Sequence, residues 1–273
     1  MNDDAYAFID GAAFDAALEE LGPIFDATYR DIYWPMLTRN ARRIFYFDAL
    51  PSLKDGEKQE EFELKLKAKQ EKFSFLKKVP GFHVREGFTR PRGNSRGPVL
   101  QQKGVDVALA VEVLRHTHRD NMGTARLFLS DLDFFPLLEA ITDTRVISEL
   151  FYRPGKTAPE LIEVADLSQK FDHFFLLNGL SQSFRDIFYV QPMPPDYLDG
   201  ASEIAAGRER FGSVKMFYSV QTGHFGIVAN FNGNPHQWSG RSVELLVYHY
   251  ESLSRTTIKW DSGWSPALER GKR

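Results

Sequence analysis

Residues 125–140, "ARLFLSDLDFFPLLEA", join an apolar run, two aspartates and a second apolar run. The first run is typical of a buried strand, and the pattern from Phe134 onward predicts a helix. Asp131 and Asp133 therefore fall where a strand ends and a helix begins. Two like charges so close together cost free energy unless a partner offsets them, so this stretch directs attention to the other strand ends.

Strands and helices alternate on both sides of this stretch. Helical patterns cover residues 12 to about 36, 58–78 and 105–117, and two more begin near Phe134 and Pro159. This alternation predicts an α/β fold with a mainly parallel sheet. The predicted strands are "YAFID" (6–10), "RIFYFD" (43–48), "GFHVREGF" (81–88), "ARLFLS" (125–130), "RVISELFY" (145–152) and "FDHFFLL" (171–177).

The composition changes after about residue 178. "MPPDYLDG" (193–200) is typical of a linker, and short strand patterns separated by Gly, Asn, Pro and Ser follow it. We expect an α/β domain over 1–178, a linker over 179–210 and a small all-β domain over 211–273. The strands predicted there are "SVKMFYSV" (213–220), "FGIVANF" (225–231), "SVELLVYHY" (242–250) and "RTTIKW" (255–260).

The bulk composition excludes several classes of protein. With 273 residues and 42% hydrophobic residues, the chain is long enough to bury a large core. The net charge of -3 gives no global attraction to nucleic acid or anionic membranes, and zero cysteines exclude disulfides and thiolate sites. The acidic start lacks a signal peptide's basic region, and no apolar run is long enough for a membrane span. We therefore expect a soluble, cytoplasmic protein.

Acidic residues recur at the predicted strand ends. Asp10 ends the first strand, Asp48 ends the second, and Asp131 and Asp133 follow "RLFLS". Asp106 lies at the start of a helix entered from a loop. Because the carboxyl ends of parallel strands share one edge of a sheet, these carboxylates are expected to converge there.

Several clustered carboxylates need positive charge among them. Oxygen ligands without Cys, and without a clustered His pair, favour Mg²⁺ or Mn²⁺ over Zn²⁺. Such ions polarise phosphate oxygens and activate water for phosphodiester cleavage. The pattern thus predicts a divalent-metal site that acts on phosphodiesters.

A helix N-cap is the alternative for any single Asp in this set. Asp131 or Asp133 would cap the helix near Phe134, and Asp106 its own helix. Caps do not explain why Asp10 and Asp48 also end apolar strands. Glu112 lies about 120° from Asp106 around their common helix, so it is left out of the predicted site.

The motifs "YAFIDGAAF", "RIFYFD", "QQKGVDVALAVEVL", "LFLSDLDFFPLLEAI" and "LSQKFDHFFLL", in this order, resemble the NYN (LabA-like) domain of the PIN-like nuclease superfamily. The resemblance covers roughly residues 5–178. It implies a Rossmann-like fold, an acidic site for a divalent metal and endoribonuclease activity. It also implies that the principal metal-binding acids are Asp10, Asp106 and Asp131, with Asp133 beside them. Asp48 and Asp172 match positions that are acidic less regularly in the family. Asp166 is an alternative to Asp172 as the acid of the last motif.

Three residues depart from the pattern of that family. Ala13 stands where Asn is frequent, Glu112 replaces an expected Asp, and Leu132 replaces the usual Gly between the two acids. The principal acids are all kept. A catalytically weakened member therefore stays open beside an active one.

The stretch 82–103 is basic and rich in Gly and Pro. It leads into Asp106, so it is placed to hold a phosphate backbone over the metal site. The alternative is a solvated flexible loop, and the mixed charges of 58–78 favour a simple exposed helix face. The basic residues are Arg85, Arg90, Arg92, Arg96 and Lys103, against the single acid Glu86.

The C-terminal segment weakly resembles a cold-shock domain, a five-stranded OB-type barrel. "GSVKMF" (212–217) matches the opening of that domain, although Met216 replaces a tryptophan, and "HFGIV" (224–228) is similar to its first RNA-binding motif. The resemblance implies base stacking on Phe217, Tyr218, His224 and Phe225. The alternative is that these aromatic residues form a plain core.

Taken together, the sequence predicts a metal-dependent endoribonuclease for single-stranded RNA. Asp10, Asp48, Asp106 and Asp131 are the expected ligands of Mg²⁺ or Mn²⁺, and Asp133 supports the site or orients water. The alternatives are an RNA-binding regulatory protein with a decayed site and a phosphatase-like hydrolase of small phosphoesters. The sequence does not separate RNA from single-stranded DNA as the partner, and the oligomeric state, a homodimer included, stays open.

Overall fold

A computed structural model describes residues 4–53, 56–94, 97–194, 196–231 and 233–272, with the side chains of 88–94, 97–103, 231 and 270–272 left out. The chain forms two compact units. The first comprises the described residues up to Pro23 and then Ala27–Leu180, and the second comprises Ile24–Asp26 and the described residues from Ser181 onward. No helix in the described part of the chain is both long and apolar enough to cross a membrane.

The first unit is an α/β layer structure built on a parallel six-stranded sheet of order β3-β2-β1-β6-β7-β8. This confirms the predicted fold class. The strands are β1 (Ala5–Asp10), β2 (Arg43–Asp48), β3 (Phe82–Glu86), β6 (Thr124–Phe128), β7 (Ile147–Tyr152) and β8 (Leu167–Lys170), and a separate hairpin pairs β4 (Phe88–Asn94) with β5 (Gly97–Lys103). The helices are α1 (Gly11–Leu21), α2 (Trp34–Leu37), α3 (Gln59–Leu76), α4 (Val105–His118), α5 (Phe135–Thr142), α6 (Pro159–Val164) and α7 (His173–Gly179).

The central strand β1 is apolar from Ala5 to Ile9, because helices cover both faces of the sheet. Ala7, Phe8 and Ile9 are each 0% exposed. Phe8 packs in the core that α4 and α5 close, whereas Phe14 of α1 contacts the ring of Phe128 across the opposite face. These two cores fix the strand ends, and with them the acids that follow the strands.

Two predicted elements of this unit are wrong. Residues 12–36 do not form one helix, since α1 ends at Leu21, a 3-10 turn covers Gly22–Ile24 and α2 begins only at Trp34. The segment 171–177 is not a strand. Asp172 accepts a hydrogen bond from Phe175 N at 2.9 Å and so caps α7, while the exposed strand β8 forms the sheet edge instead.

The second unit contains an antiparallel six-stranded sheet of order β14-β10-β11-β12-β13-β9, which confirms a separate β region. Its strands are β9 (Val190–Pro192), β10 (Ala201–Glu209), β11 (Gly212–Ser219), β12 (His224–Phe231), β13 (Asn234–Gly240) and β14 (Lys259–Trp260), and its helices are α8 (Gln182–Ile187) and α9 (Val243–Ser254). The stretch 179–210, expected to be a linker, thus contains α8, β9 and β10.

The segment 242–250, predicted as a strand, is helical. Ser242 caps α9 by accepting a hydrogen bond from Leu245 N at 3.3 Å. Val243, Leu246, Val247 and Tyr250 lie on one face of α9 and pack on the sheet. Their spacing is the i, i+3, i+4, i+7 pattern of an amphipathic helix, so the short segment carried a helical signal that its β-branched residues masked.

Candidate active site

Asp10 lies at the carboxyl edge of the sheet, where β1 ends. Phe47 is its partner on β2, so Asp48 lies one residue further along the same edge. Asp10 is 8% exposed, and its Oδ1 accepts a hydrogen bond from Ala12 N at 3.0 Å, which caps α1. Burial raises the pKa of Asp10 to about 6, and the charges of Asp106 and Asp48 also act upward, against the hydrogen bonds from the backbone of α1.

Asp106 is carried to this edge by the first turn of α4. Gly104, with φ of 82°, occupies the N-cap position in the left-handed region that glycine adopts without strain, and no side chain caps this helix. The cap alternative for Asp106 is therefore wrong. Burial raises the pKa of Asp106, and the negative charges of Asp131 and Asp133 raise it further. Asp106 thus interacts with acids from both β1 and the segment after β6.

Asp131 and Asp133 follow β6 on the same edge. Asp131 Oδ1 accepts a hydrogen bond from Asp133 N at 3.2 Å and caps a 3-10 turn over Leu132–Phe134. Asp131 therefore forms a cap, although on the 3-10 turn that precedes α5 and not on α5 itself, whose N-cap is Phe134 without a side-chain hydrogen bond. This cap does not exclude metal binding, because it engages only one carboxylate oxygen. The side chain of Leu132, which lies between the two acids in sequence, is 46% exposed and therefore does not pack in the core.

These four acids, Asp10, Asp106, Asp131 and Asp133, are named here the open acid group. Within the described side chains, none of the four forms an ion pair with a Lys, Arg or His. Burial is the main cause of the raised pKa values of Asp10 and Asp106, and the negative charges of neighbouring acids raise both pKa values further. No cation among the described side chains therefore offsets the negative charge of these neighbouring carboxylates.

The chemistry of this donor set fits a hard divalent cation such as Mg²⁺ or Mn²⁺. All of its side-chain donors are carboxylate oxygens, which these ions prefer, and the unbalanced negative charge would be offset on binding. The described side chains do not include three His, Asp or Glu residues grouped closely enough to hold one ion. The acids therefore share an edge without being closed around a common point.

Asp48 is placed differently from the open acid group. Its Oδ2 is in an ion pair with Lys69 Nζ, and its Oδ1 accepts a hydrogen bond from Ala49 N at 2.8 Å. Burial raises the pKa of Asp48, and the charge of Lys69 opposes this rise. The structure thus brings Asp48 to the predicted edge but gives it a lysine as its partner.

A cleft of about 640 Å³ lies beside Asp48 and contains a network that the sequence did not predict. Asp15 pairs with both Lys69, at 2.9 Å, and Lys72, and the hydroxyl of Tyr46 donates to Asp15 Oδ1 at 3.1 Å. Lys72 is 5% exposed, and burial lowers its pKa. We name Asp15, Tyr46, Asp48, Lys69 and Lys72 the paired acid group.

The lysines of this network come from the helix that was predicted to present only an exposed face. Residues 65, 68, 69 and 72 line the cleft at i, i+3, i+4 and i+7 spacing. The hydroxyl of Tyr46 on a buried strand was the available signal, because a buried polar group needs a partner.

Arg85 and Glu112 form another ion pair on the first unit. Glu112 is 7% exposed, and its carboxylate contacts Arg85 at 3.1 Å and Arg115 at 2.6 Å. The two arginines therefore neutralise Glu112 outside the open acid group. This agrees with the helical geometry, which predicts that Glu112 and Asp106 do not share a face of α4. Arg85, proposed as a nucleic-acid contact, has one guanidinium nitrogen committed to this pair.

Arg90, Arg92 and Lys103 lie on the strands of the hairpin rather than in an irregular loop. Their side chains are outside the described part of the structure, and Arg96 is outside it altogether. Their predicted contacts with RNA stay predictions. The residues concerned are Arg90, Arg92, Arg96 and Lys103.

The two competing acids of the last motif have other partners. Asp166 accepts hydrogen bonds from Ser148 N at 2.8 Å and Ser148 Oγ at 2.7 Å. Asp172 caps α7. The observed bonds of both acids stabilise strand and helix ends.

The strand aromatics of the second unit divide between core and surface. Phe225 is 2% exposed and packs in the core of that unit, so its ring has no face for a base, contrary to the prediction. Tyr218 is half-buried and packs against the same core, and Phe217 is also half-buried. The core alternative is therefore correct for Phe225.

Comparison with known proteins identifies the first unit. No curated protein matches the chain significantly. A solved structure of a protein of unknown function, VPA0982 from Vibrio parahaemolyticus, is similar at 17% identity and a TM-score of 0.40, covering 66% of this chain and 98% of that one. The model of the NYN domain family matches residues 6–172, which hold both acid groups. The chain therefore belongs to the NYN domain family.

Proposed function

We propose that this chain is a metal-dependent endoribonuclease that cleaves phosphodiester bonds of single-stranded RNA. Its NYN domain belongs to the PIN-like nuclease superfamily, which suggests nuclease or RNA-related function. The observation that carries the proposal is the open acid group, in which carboxylates from three segments repel one another at one sheet edge. Carboxylates held in this way are suited to a divalent ion and are costly without one.

The residues of the first unit have distinct proposed roles. Asp10, Asp106 and Asp131 hold Mg²⁺ or Mn²⁺, and Asp133 supports the site or orients water. The bound ion supplies charge for the phosphate oxygens and favours ionisation of water. The basic residues from Arg85 to Lys103 hold the phosphate backbone. Asp48 is not among the proposed ligands because its carboxylate is in an ion pair with Lys69.

The second unit is proposed to assist RNA capture through Phe217 and Tyr218, which are half-buried rather than buried. The cold-shock resemblance and a division into domains at residues 178 and 211 stay predictions. A cytoplasmic location is likewise a prediction from composition.

The second candidate function is that of an RNA-binding regulatory protein with a weakened nuclease site. The observation that favours it is that no three acids among the described side chains are close enough to share an ion. Two of the three departures from the family pattern are close to these acids: Ala13 lies in the first turn of α1, which Asp10 caps, and Leu132 lies between Asp131 and Asp133.

A substrate screen on the full chain tests these candidates. Labelled single-stranded RNA, single-stranded DNA and bis(4-nitrophenyl) phosphate are each incubated with Mg²⁺ or Mn²⁺. We expect endonucleolytic products from RNA that disappear with EDTA and in Asp131→Asn. Full RNA cleavage in either control contradicts the metal mechanism. RNA binding without cleavage supports the regulatory candidate, and cleavage of only the small phosphoester supports a phosphatase-like hydrolase.

A further inference from the structure

Both oxygens of the Asp48 carboxylate contact polar groups of the protein itself. Asp48 is 4% exposed. Oδ1 accepts from Ala49 N, while Oδ2 pairs with Lys69 and lies 3.3 Å from the hydroxyl oxygen of Tyr46. A metal ion would have to displace at least one of these partners to gain Asp48 as a ligand.

Lys69 is a fixed cation rather than a mobile surface lysine. Its side chain is 20% exposed, and its Nζ also contacts Asp15 Oδ2 at 2.9 Å. Lys72, one helical turn further along α3, pairs with the other oxygen of Asp15. The ammonium of Lys69 is therefore held between two carboxylates, one of which is Asp48 at the sheet edge.

Gly11 fixes the distance between Asp48 and the open acid group. A Cβ at position 11 would lie 2.6 Å from both Cβ and Oδ2 of Asp48, so only glycine admits this approach. Gly11 directly follows Asp10. The Asp48–Lys69 pair therefore packs against the start of α1, immediately beside the first proposed metal ligand.

We propose that the ammonium of Lys69 takes the position of a second metal ion, so that this chain binds one divalent ion through the open acid group and none through Asp48. The inference rests on the proposed function. Two-metal nuclease sites place their ions about 3.5–4 Å apart and share carboxylates between them. A lysine held on the flanking carboxylate supplies fixed positive charge there and repels a second cation. Lys69 is in this sense a positioning residue that acts through Asp48.

The test is a Mn²⁺ titration of the full chain, followed by calorimetry and by electron paramagnetic resonance of free Mn²⁺. We expect one Mn²⁺ per wild-type chain. Asp48→Asn keeps that number and a dissociation constant within about threefold of wild type, whereas Asp131→Asn weakens binding by at least about tenfold. These measurements do not depend on any lysine variant.

Removal of the lysine is the complementary arm. Lys69→Met frees the Asp48 carboxylate, so we expect a second Mn²⁺ site or binding at least about tenfold tighter. The double variant Lys69→Met with Asp48→Asn loses that gain. Lys65→Met is the matched control, because Lys65 lines the same cleft but pairs with Glu57 at 2.6 Å, and it is expected to match wild type.

Each outcome separates the two proposals. Two Mn²⁺ ions per wild-type chain, or equal losses in Asp48→Asn and Asp131→Asn, overturn the inference on Lys69 alone. Unchanged binding in a Lys69→Met protein that unfolds cooperatively also overturns it. A wild-type chain that binds no Mn²⁺ overturns the metal site of the proposed function and this inference together.

Discussion

Two groups of acids lie at the same edge of one parallel sheet and are treated in opposite ways. In the paired acid group, Asp15 and Asp48 are neutralised by Lys69 and Lys72. In the open acid group, the described side chains provide no cation, and the pKa of Asp10 rises to about 6. Position at a strand end therefore does not by itself make an acid a ligand, because the charges around the acid decide what it is free to bind.

The largest effect expected from this comparison is on catalysis. Asp106→Asn removes an acid that forms no cap and no described ion pair, so we expect RNA cleavage in Mg²⁺ to fall by at least about 100-fold. Asp15→Asn removes an acid of the paired group, and cleavage is expected to change by less than about threefold. Initial rates on the same labelled RNA measure both. Equal losses in the two variants contradict the division into two groups.

The next effect is on stability and concerns the buried lysine. Lys72→Met leaves Asp15 with Lys69 as its remaining charged partner in a largely desolvated site, so we expect a loss of about 2–3 kcal/mol in the free energy of unfolding. Lys65→Met, whose side chain is 61% exposed, is expected to leave the free energy of unfolding essentially unchanged, because exposed ion pairs contribute little. Urea unfolding at pH 7.5 measures both. A loss no larger than that of the Lys65 variant contradicts the structural role of Lys72.

In the open acid group, removal of a charge is expected to raise the free energy of unfolding instead of lowering it. The pKa of Asp10 rises from 3.8 to about 6 on folding. The folded state therefore keeps this proton where the unfolded state has lost it, and stability falls as pH rises from about 4 to about 6. In EDTA at pH 7.5, Asp10→Asn is expected to stabilise the fold by about 2 kcal/mol, because Asn also caps helices without carrying the charge.

The gain of Asp10→Asn should vanish near pH 4, where the aspartate of the wild type is largely protonated in the folded state. Urea unfolding of both proteins at the two pH values in EDTA provides the measurement. A destabilised Asp10→Asn at pH 7.5 would show that the charge of Asp10 is offset by a partner within the fold.

The smallest effect concerns Leu132, the departure between Asp131 and Asp133. Its side chain is 46% exposed in a short 3-10 turn, so Leu132→Gly removes little packing. We expect a loss of about 0.5–1 kcal/mol in stability, from backbone entropy, and less than about a threefold change in cleavage. Parallel urea unfolding and rate measurements check this. A large gain in cleavage would show that Leu132 restrains the site.

The fold of the first unit was largely predictable because its central strands β1 and β2 are apolar on both faces. "RIFYFD" matches β2 residue for residue, and a run of this kind between helical patterns indicates a buried parallel strand. The strand β8 was missed because all four of its residues are exposed, so it carries no hydrophobic pattern. The more apolar segment after it has the pattern of a strand, although Asp172 marks the start of a helix there.

The acids of the candidate site were predictable to the same extent as the strand ends that carry them. The ion pair that keeps Asp48 out of the open acid group was not predictable, because its partner Lys69 is 21 residues further along the chain. A helix rich in Lys and Glu has the same sequence pattern whether a given lysine faces solvent or a carboxylate. Only the packing of α3 over the sheet edge distinguishes them.

The absence of a side-chain cap at the start of α4 makes Asp106 the informative residue for diagnosing other chains with this domain. Asp10 and Asp131 each hold a helix start as well as belonging to the open acid group. A relative that has lost catalysis would still gain stability by keeping them. Asp106 has no such second role, since Gly104 is the N-cap of that helix and no side chain caps it. Replacement of Asp106 in a related sequence would therefore be a reliable sign of lost activity. The presence of Asp10 and Asp131 would be a weaker sign of retained activity, because their capping role alone would preserve them.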